Sequence, residues 1–450
     1  MKLALRLDDN HSSNLQGREA RGVFIKSGGI FMGMTVTEKI IANKANLSQV
    51  KPGQIVQVPV DFAFFHDNNA PIAIRQFSRL PNASVWDSSK VMFVLDHHSP
   101  STTLRAAQHH QNIRDFAKKH NIKVSEVGRG VSHPVVAEEG YARPGRIILG
   151  TDSHTVGLGT FGCLATGIGS TEMAAVLATG SIWLQVPETV KIWLDGKLGP
   201  HITPKDVALF LLKNFGPSFL NYAAVEIAGP LVDSLNVEER MAITIMCLEM
   251  GVKNAIMPVD EKILNYINGT QKTEKIFQAD KDAVYASVVQ FDVSSLEPIV
   301  ATPGLPTNGV EVNQAEGVEI NQATLGSCSG AFLHDLEAAA EILKGRKVHP
   351  GVRFVVVPNS SKVVEKAARL GIISTLVEAG AIFSSPACGT CGGYEVGVLA
   401  PDETCISTTT RNMDGRMGPG GLIYLASART VAASAVMGKI TDPRKLGGGN

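Results

Sequence analysis

Short apolar runs that stop abruptly at a polar residue recur along this chain, and they restrict its fold more than any other feature. Residues 91–95 form a buried-strand pattern that delivers Asp96, and residues 146–150 form another that delivers Thr151 and Asp152. Residues 352–357, closed by Pro358, precede Asn359-Ser360-Ser361, a cap for a helix predicted over 362–370 and ended by Gly371. A further run, 381–383, leads into a loop that holds Cys388. Because these runs alternate with amphipathic helical stretches, the chain is predicted to be an α/β protein with largely parallel sheets. In such sheets ligands gather at the carboxyl ends of strands, and that is where the chemistry-bearing residues fall.

At 450 residues the chain is too long for one ordinary compact core, so two or three domains are expected. Turn-rich composition puts boundaries near Gly199 and Ala301. Charge is balanced, 42 Lys+Arg against 42 Asp+Glu, so no long-range field favours nucleic acid or an anionic membrane. A small acidic ligand must therefore find local positive charge. Glycine clusters in runs such as 157–169, where backbone must turn tightly or approach something closely. The stretch 1–13 has no apolar core of about 7–15 residues, so no signal peptide is expected. The most apolar windows are broken well before the roughly 18 residues needed to span a bilayer. Six cysteines in so long a chain point to a reducing compartment, by default the cytoplasm, and to metal or catalytic use.

Two loops concentrate the thiols. Gly326-Ser327-Cys328-Ser329-Gly330 holds one, and Ser385-Pro386-Ala387-Cys388-Gly389-Thr390-Cys391-Gly392-Gly393 holds two. Small neighbours would let a bulky inorganic group approach the backbone. A lone C-x-x-C is also shared by thiol oxidoreductases and half zinc sites, but no fourth Cys or His stands beside Cys328 to complete a zinc set. Cys163, Cys247 and Cys405 read as small buried hydrophobes. The histidines form a second constellation: Asp96-His97-His98, His133 in a glycine-rich turn, and Gly150-Thr151-Asp152-Ser153-His154-Thr155. A carboxylate beside an imidazole fixes its tautomer and raises its basicity, as general acid–base catalysis requires. Arg411 and Arg416, five residues apart around Gly415, could clamp carboxylates bidentately.

Taken in order, Asp96-His97, the 150–155 motif, Cys328, the Cys388/Cys391 loop and Arg411-Asn412-Met413-Asp414-Gly415-Arg416 resemble the aconitase superfamily. The likeness is strongest to the large subunits of 3-isopropylmalate dehydratase and homoaconitase, and runs from about Gly33 to the end of the chain. It implies three α/β/α domains, over 33–199, 200–300 and 301–450 after an N-terminal extension 1–32, packed around a 4Fe-4S cluster. Cys328, Cys388 and Cys391 would hold that cluster, leaving one iron open as a Lewis acid. By the same resemblance Asp96-His97 protonates the departing hydroxyl, and His154, supported by Asp152 and Glu249, orients the iron-bound water. His133 matches a further active-site histidine, and Ser153, Arg411 and Arg416 match groups that bind substrate carboxylates. Single-chain aconitases continue into a fourth, swivelling domain that supplies the base. A separate small subunit is therefore expected to complete this site, in a heterodimer or heterotetramer.

The implied reaction is reversible dehydration of a small di- or tricarboxylic hydroxy acid. The leading substrate is 3-isopropylmalate, an intermediate of leucine biosynthesis, with homoaconitate, 2,3-dimethylmalate and citraconate as alternatives. Two other classes stay open: an iron-binding regulatory protein without catalysis, and a thiol oxidoreductase with a Cys388–Cys391 disulfide. Three positions depart from the superfamily's usual pattern. Thr410 and Ile245 stand where Asn is usual, and Met413 where Phe is usual. Because outer-shell donors tune a cluster, Ile245 in particular predicts one with fewer stabilising contacts.

Overall fold

The strand Phe62–His66 is buried at every position, as a central strand of a parallel sheet covered on both faces must be. It belongs to the protein's computed structural model, which describes residues 33–267, 275–393 and 396–447; the expected extension 1–32 lies outside them. Phe62–His66 is the middle of a five-stranded parallel sheet ordered Lys123–Ser125, Val91–Val94, Phe62–His66, Ile147–Gly150, Leu164–Gly167. The chain builds outward on one side, then returns to lay Ile147–Gly150 on the other. The strand order reverses between Phe62–His66 and Ile147–Gly150, and such a reversal leaves a crevice beyond the carboxyl ends. His66-Asp67 and Thr151-Asp152 leave those ends, with Asp96-His97 leaving the neighbouring strand.

A second sheet, also parallel, is ordered Asn254–Ile256, Ala224–Ala228, Thr189–Asp195, Ser287–Asp292. Its helices Pro204–Phe215 and Val237–Met246 pack against each other and contribute to one core with the strands. The third sheet has seven strands, ordered Gly309–Glu311, Ile299–Ala301, Leu422–Leu425, Thr404–Ser407, Gln322–Leu325, Arg353–Val356, Ile382–Phe383. The two strands at one edge are antiparallel and the remaining five parallel. Here the order reverses between Gln322–Leu325 and Thr404–Ser407. Cys328 follows the first of these, Thr410 and Arg411 the second, and Cys388 follows the edge strand Ile382–Phe383.

The α/β reading therefore holds, and the site-delivering strands lie within a residue or two of where the apolar runs end. The helix is Ser361–Arg369, one residue earlier than predicted; the Ser360 hydroxyl accepts from the Val363 N–H at 3.2 Å, and Gly371 follows in the left-handed region at φ +73°. The sheets change over earlier than turn composition suggested. Thr189–Asp195 already pairs in the second sheet and Ile299–Ala301 in the third, so Gly199 marks the exit from a strand and Ala301 lies within one. An apolar cluster joins the segments close to the cysteines: Phe64, Phe161, Ile245, Cys328 and Phe332 all belong to it. No described helix is long and apolar enough to cross a membrane.

Candidate active site

Asp152 is the hub of the first sheet's open end. Its Oδ1 accepts the His154 backbone N–H at 2.7 Å and lies 3.2 Å from His133 Nε2 and 3.5 Å from His154 Nδ1, while Oδ2 is 3.4 Å from His97 Nε2. Burial opposes charge on this carboxylate, but His133, His154 and His97 outweigh it and hold its pKa well below the ordinary range. His97 is positioned from both ends. Its Nδ1 donates to Asp96 Oδ1 at 2.8 Å, and Asp96 Oδ2 in turn accepts the Ser132 N–H at 2.7 Å. Burial works against protonation of His97, yet Asp96 and Asp152 raise its pKa well above the usual value. The two carboxylates thus favour the imidazolium, the form that can give up a proton.

Sequence reasoning missed two residues that frame this dyad. Asp67 accepts the backbone N–H of His97 and of His98, each at 2.9 Å, and the His110 Nε2 proton at 2.8 Å, so it shapes the turn that presents His97. His66 stacks on His97 with ring centres 4.1 Å apart and donates from Nε2 to the Thr151 carbonyl at 3.2 Å. Burial pushes the pKa of His66 down to about 4, so a neutral His66 ring lies against His97. The signal for both was the dipeptide His66-Asp67 at a strand's end, the same pattern that singled out Asp96-His97.

A second network crosses from the second sheet's helices. Glu249 Oε1 accepts from His154 Nε2 at 2.9 Å and from Arg411 Nε at 2.8 Å; the terminal guanidinium nitrogen of Arg411 donates to Ser153 Oγ at 3.1 Å. Burial raises the Glu249 carboxyl, but His154 and Arg411 bring it below its ordinary value. Arg411 keeps a fifth of its side chain exposed, so part of its fork still faces solvent. Arg416 is engaged differently: Nε donates to the Cys391 carbonyl at 2.7 Å, and a terminal nitrogen lies 3.9 Å from Cys391 Sγ.

All six cysteines are free and buried, and they fall into two groups. Cys163, Cys247 and Cys405 each point a thiol at a backbone carbonyl, at 3.0, 3.4 and 3.5 Å. Cys328, Cys388 and Cys391 do not; the side chains of Cys388 and Cys391 contact each other, and Cys328 is near enough to act on both. Their other partners include neutral hydroxyls: Thr410 Oγ1 lies 3.3 Å from Cys391 Sγ, and Ser327 Oγ 3.8 Å from Cys328 Sγ. Burial beside Cys391 raises the Cys328 thiol well above its usual pKa, so its thiolate form needs a counter-charge. The loops are tightly fitted. Gly389 sits at φ +60° with the Val357 side chain 2.8 Å from where a Cβ would be, and Ser327 and Ala331 flank Cys328 at φ +82° and +55°. Three buried thiols, clear of carbonyl partners and held by two small-residue loops, fit an iron–sulfur cluster. The thiol loops also touch the acid directly, because the Cys388 N–H donates to the Asp96 carbonyl at 2.8 Å.

Two parallel α/β sheets that meet at their carboxyl ends, one bearing a histidine–carboxylate network and the other three thiols, define an enzyme with acid–base groups beside a thiolate site. Comparison with known proteins gives the family. The profile of the Aconitase family (aconitate hydratase) matches residues 38–319 and 313–438. The 3-isopropylmalate dehydratase large subunit of Moorella thermoacetica is 42% identical over 419 residues, covering 92% of this chain and all of that protein. A large subunit of the same name from Pyrococcus furiosus is 42% identical over 420 residues, 92% of this chain and 99% of its own length. A probable methanogen homoaconitase large subunit from Methanothermobacter thermautotrophicus is 42% identical over 422 residues, again 92% and 99%. The chain belongs to the aconitase family. It is accordingly a hydro-lyase, and membership implies an iron–sulfur cluster.

Proposed function

We propose that this chain is the large subunit of a two-subunit hydro-lyase that reversibly dehydrates a malate-type hydroxy acid, with 3-isopropylmalate the leading substrate. The observation that carries this reading is the hydrogen bond from Cys388 N–H to the Asp96 carbonyl, which sets the thiol site against the Asp96–His97 pair. The names of the relatives support the substrate, and one of them makes homoaconitate the second choice.

Cys328, Cys388 and Cys391 would hold a 4Fe-4S cluster that, when bound, supplies a Lewis-acidic iron and carries no electrons in the reaction. The chain's own residues do the rest. Arg411 and Ser153, already aligned by their mutual bond, bind one substrate carboxylate, and Arg416 a second. His97 delivers its Nε2 proton to the departing hydroxyl; Asp96 fixes the ring, and Asp152 keeps it charged until transfer. His154, held by Glu249, orients the water that leaves or returns, and His133 closes the same hydrogen-bonding circle. A small subunit supplies the base that removes the carbon-bound proton. Three α/β/α domains with boundaries close to the sheet changeovers, and a reducing, cytoplasmic setting in keeping with six free cysteines, complete the proposal.

Anaerobic purification tests the cluster: the protein should be brown and contain iron and inorganic sulfide, and stoichiometric zinc without sulfide would overturn the reading. The chain alone should show little or no hydratase activity, which mixing with the small subunit should restore. Full turnover by the chain alone would refute the two-subunit proposal.

A further inference from the structure

Among the described residues, Lys205 and Arg240 are the buried cations. Arg240 has a carboxylate, Asp260, and also bonds the Val232 carbonyl. Lys205 has none. Its Nζ donates to the Thr409 carbonyl at 2.8 Å and to Ser329 Oγ at 2.9 Å, and lies 3.2 Å from Met246 Sδ. It also stands in the first turn of the helix Pro204–Phe215, behind the Thr203/Asp206 capping box, where the helix dipole disfavours positive charge. An ammonium buried without an anion at the positive end of a helix breaks three local rules at once. Such breaches collect at functional sites.

Its partners show which site. Ser329 adjoins Cys328, and Thr409 adjoins Thr410, whose hydroxyl touches Cys391 Sγ. Met246 adjoins Ile245 on the segment that leads to Glu249. Burial pushes the Lys205 pKa down to about 8, while Cys328, Asp335, Cys391 and Glu249 act in the other direction. The two carboxylates among them are already committed: Asp335 Oδ2 caps its own helix through the Phe332 N–H at 3.1 Å, and Glu249 holds His154 and Arg411. What remains as an anion for Lys205 is the thiol site.

We propose that Lys205 is the internal counter-ion of the iron–sulfur cluster, a positioning residue that offsets its charge and sets the spacing of the Cys328 and Thr409–Arg411 loops. The inference rests on the cluster reading above. Three thiolates and the inorganic sulfides outweigh the charge of an oxidised iron core, so the loaded site is an anion in a dry interior. A carboxylate next to Lys205 would cancel the cation; three neutral acceptors hold it without cancelling it.

Lys205→Gln keeps the N–H donors and removes the charge, whereas Lys205→Met removes both at similar shape. After anaerobic reconstitution of the full chain, both variants should lose iron in air about tenfold faster than wild type, the scale of an outer-shell change. Their cluster potential, followed by electron paramagnetic resonance during redox titration, should move to more negative values. The cluster-free Lys205→Met protein should melt no lower than wild type, because an unpaired charge has left its interior. A Lys205→Gln protein with wild-type iron retention and potential would overturn the proposal. So would cluster-free variants that both melt lower while the potential stays put, since that is the behaviour of a simple strut. If wild type itself takes up no iron and sulfide, the cluster reading falls and this inference falls with it.

Discussion

The two sheet ends that meet at the site are finished to different degrees. At the end of the first sheet the polar groups largely satisfy one another: Asp152 faces three histidines, Asp96 bonds His97 and Ser132, and Asp67 takes three donors. At the end of the third sheet the three thiols have, among the described residues, hydroxyls, a guanidinium and one another, at 3.3 Å or more for each non-cysteine contact. Most of that network forms as the chain folds, with the buried His133 nitrogens among the groups left without a hydrogen bond, whereas a thiol site is complete only when something else binds. In the proposed reaction the protein thus preorganises the acid, and the Lewis acid would be supplied to it.

The sharpest way to break this contrast is to remove ligands. Cys328→Ser, Cys388→Ser and Cys391→Ser should each abolish iron and sulfide uptake, while Cys163→Ser, whose thiol merely donates to the Leu158 carbonyl, should load normally. Equal loading in all four would erase the distinction between the two cysteine groups. Next in size is the acid. In the complex reconstituted with the small subunit, His97→Ala should lower kcat by about 10²–10⁴-fold, the range for a general acid, without changing cluster content. A near-normal rate would remove His97 from the reaction.

A pH profile probes the hub. Because Asp96 and Asp152 raise the pKa of His97, activity that needs imidazolium is lost only as pH rises through that raised value. Asp152→Asn removes one of the carboxylates around His97 and should move the alkaline limb of the kcat profile to lower pH; an unmoved limb would show that Asp152 does not help set the charge of His97. The smallest effects belong to the positions where the chain departs from its superfamily. Thr410 retains a donor to Cys391, so Thr410→Val should shorten cluster lifetime in air by about fivefold, the worth of one hydrogen bond of about 1 kcal/mol. Ile245 is fully buried, with its side chain where a Cβ on Gly157 would lie, in the apolar cluster that includes Phe161 and Phe332. Ile245→Asn should thus cost about 1–3 kcal/mol in the unfolding of cluster-free protein, the penalty for an unsatisfied buried amide. A longer-lived cluster at no cost in stability would show that the missing donor matters more than the packing.

Much of this site was legible because parallel strands announce themselves as unbroken apolar runs, and the residues just after such runs lie at a carboxyl end. Asp96, Asp152 and Cys388 were all found in that way, whereas Cys328 stood out by its small-residue loop. What sequence could not supply was distance across sheets. Nothing local says that one carboxylate, Asp152, serves histidines from three loops, or that Arg416 turns to the Cys391 backbone. Lys205 was overlooked for another reason: Thr203-Pro204-Lys205-Asp206 reads as an ordinary helix start, and only burial shows how costly its cation is. The sheet changeovers fall some residues before the turn-rich positions Gly199 and Ala301, because a glycine-rich turn looks the same whether it ends a strand or joins two sheets.

The bond from Cys388 N–H to the Asp96 carbonyl also sets a manufacturing tolerance for the molecule. The first and third sheets each have a core of their own besides the cluster they share, and bodies with separate cores drift in relative position as sequences change. Proton donor and metal group, however, must stay aligned to a fraction of an ångström. With the Val131 N–H to Asn359 carbonyl and Ser361 N–H to Arg129 carbonyl bonds, at 2.8 and 2.9 Å, the Cys388–Asp96 bond makes a set of locating pins built of backbone, which substitutions other than to proline leave in place. Mutations in either core can therefore accumulate, and the acid will follow the thiols instead of losing them.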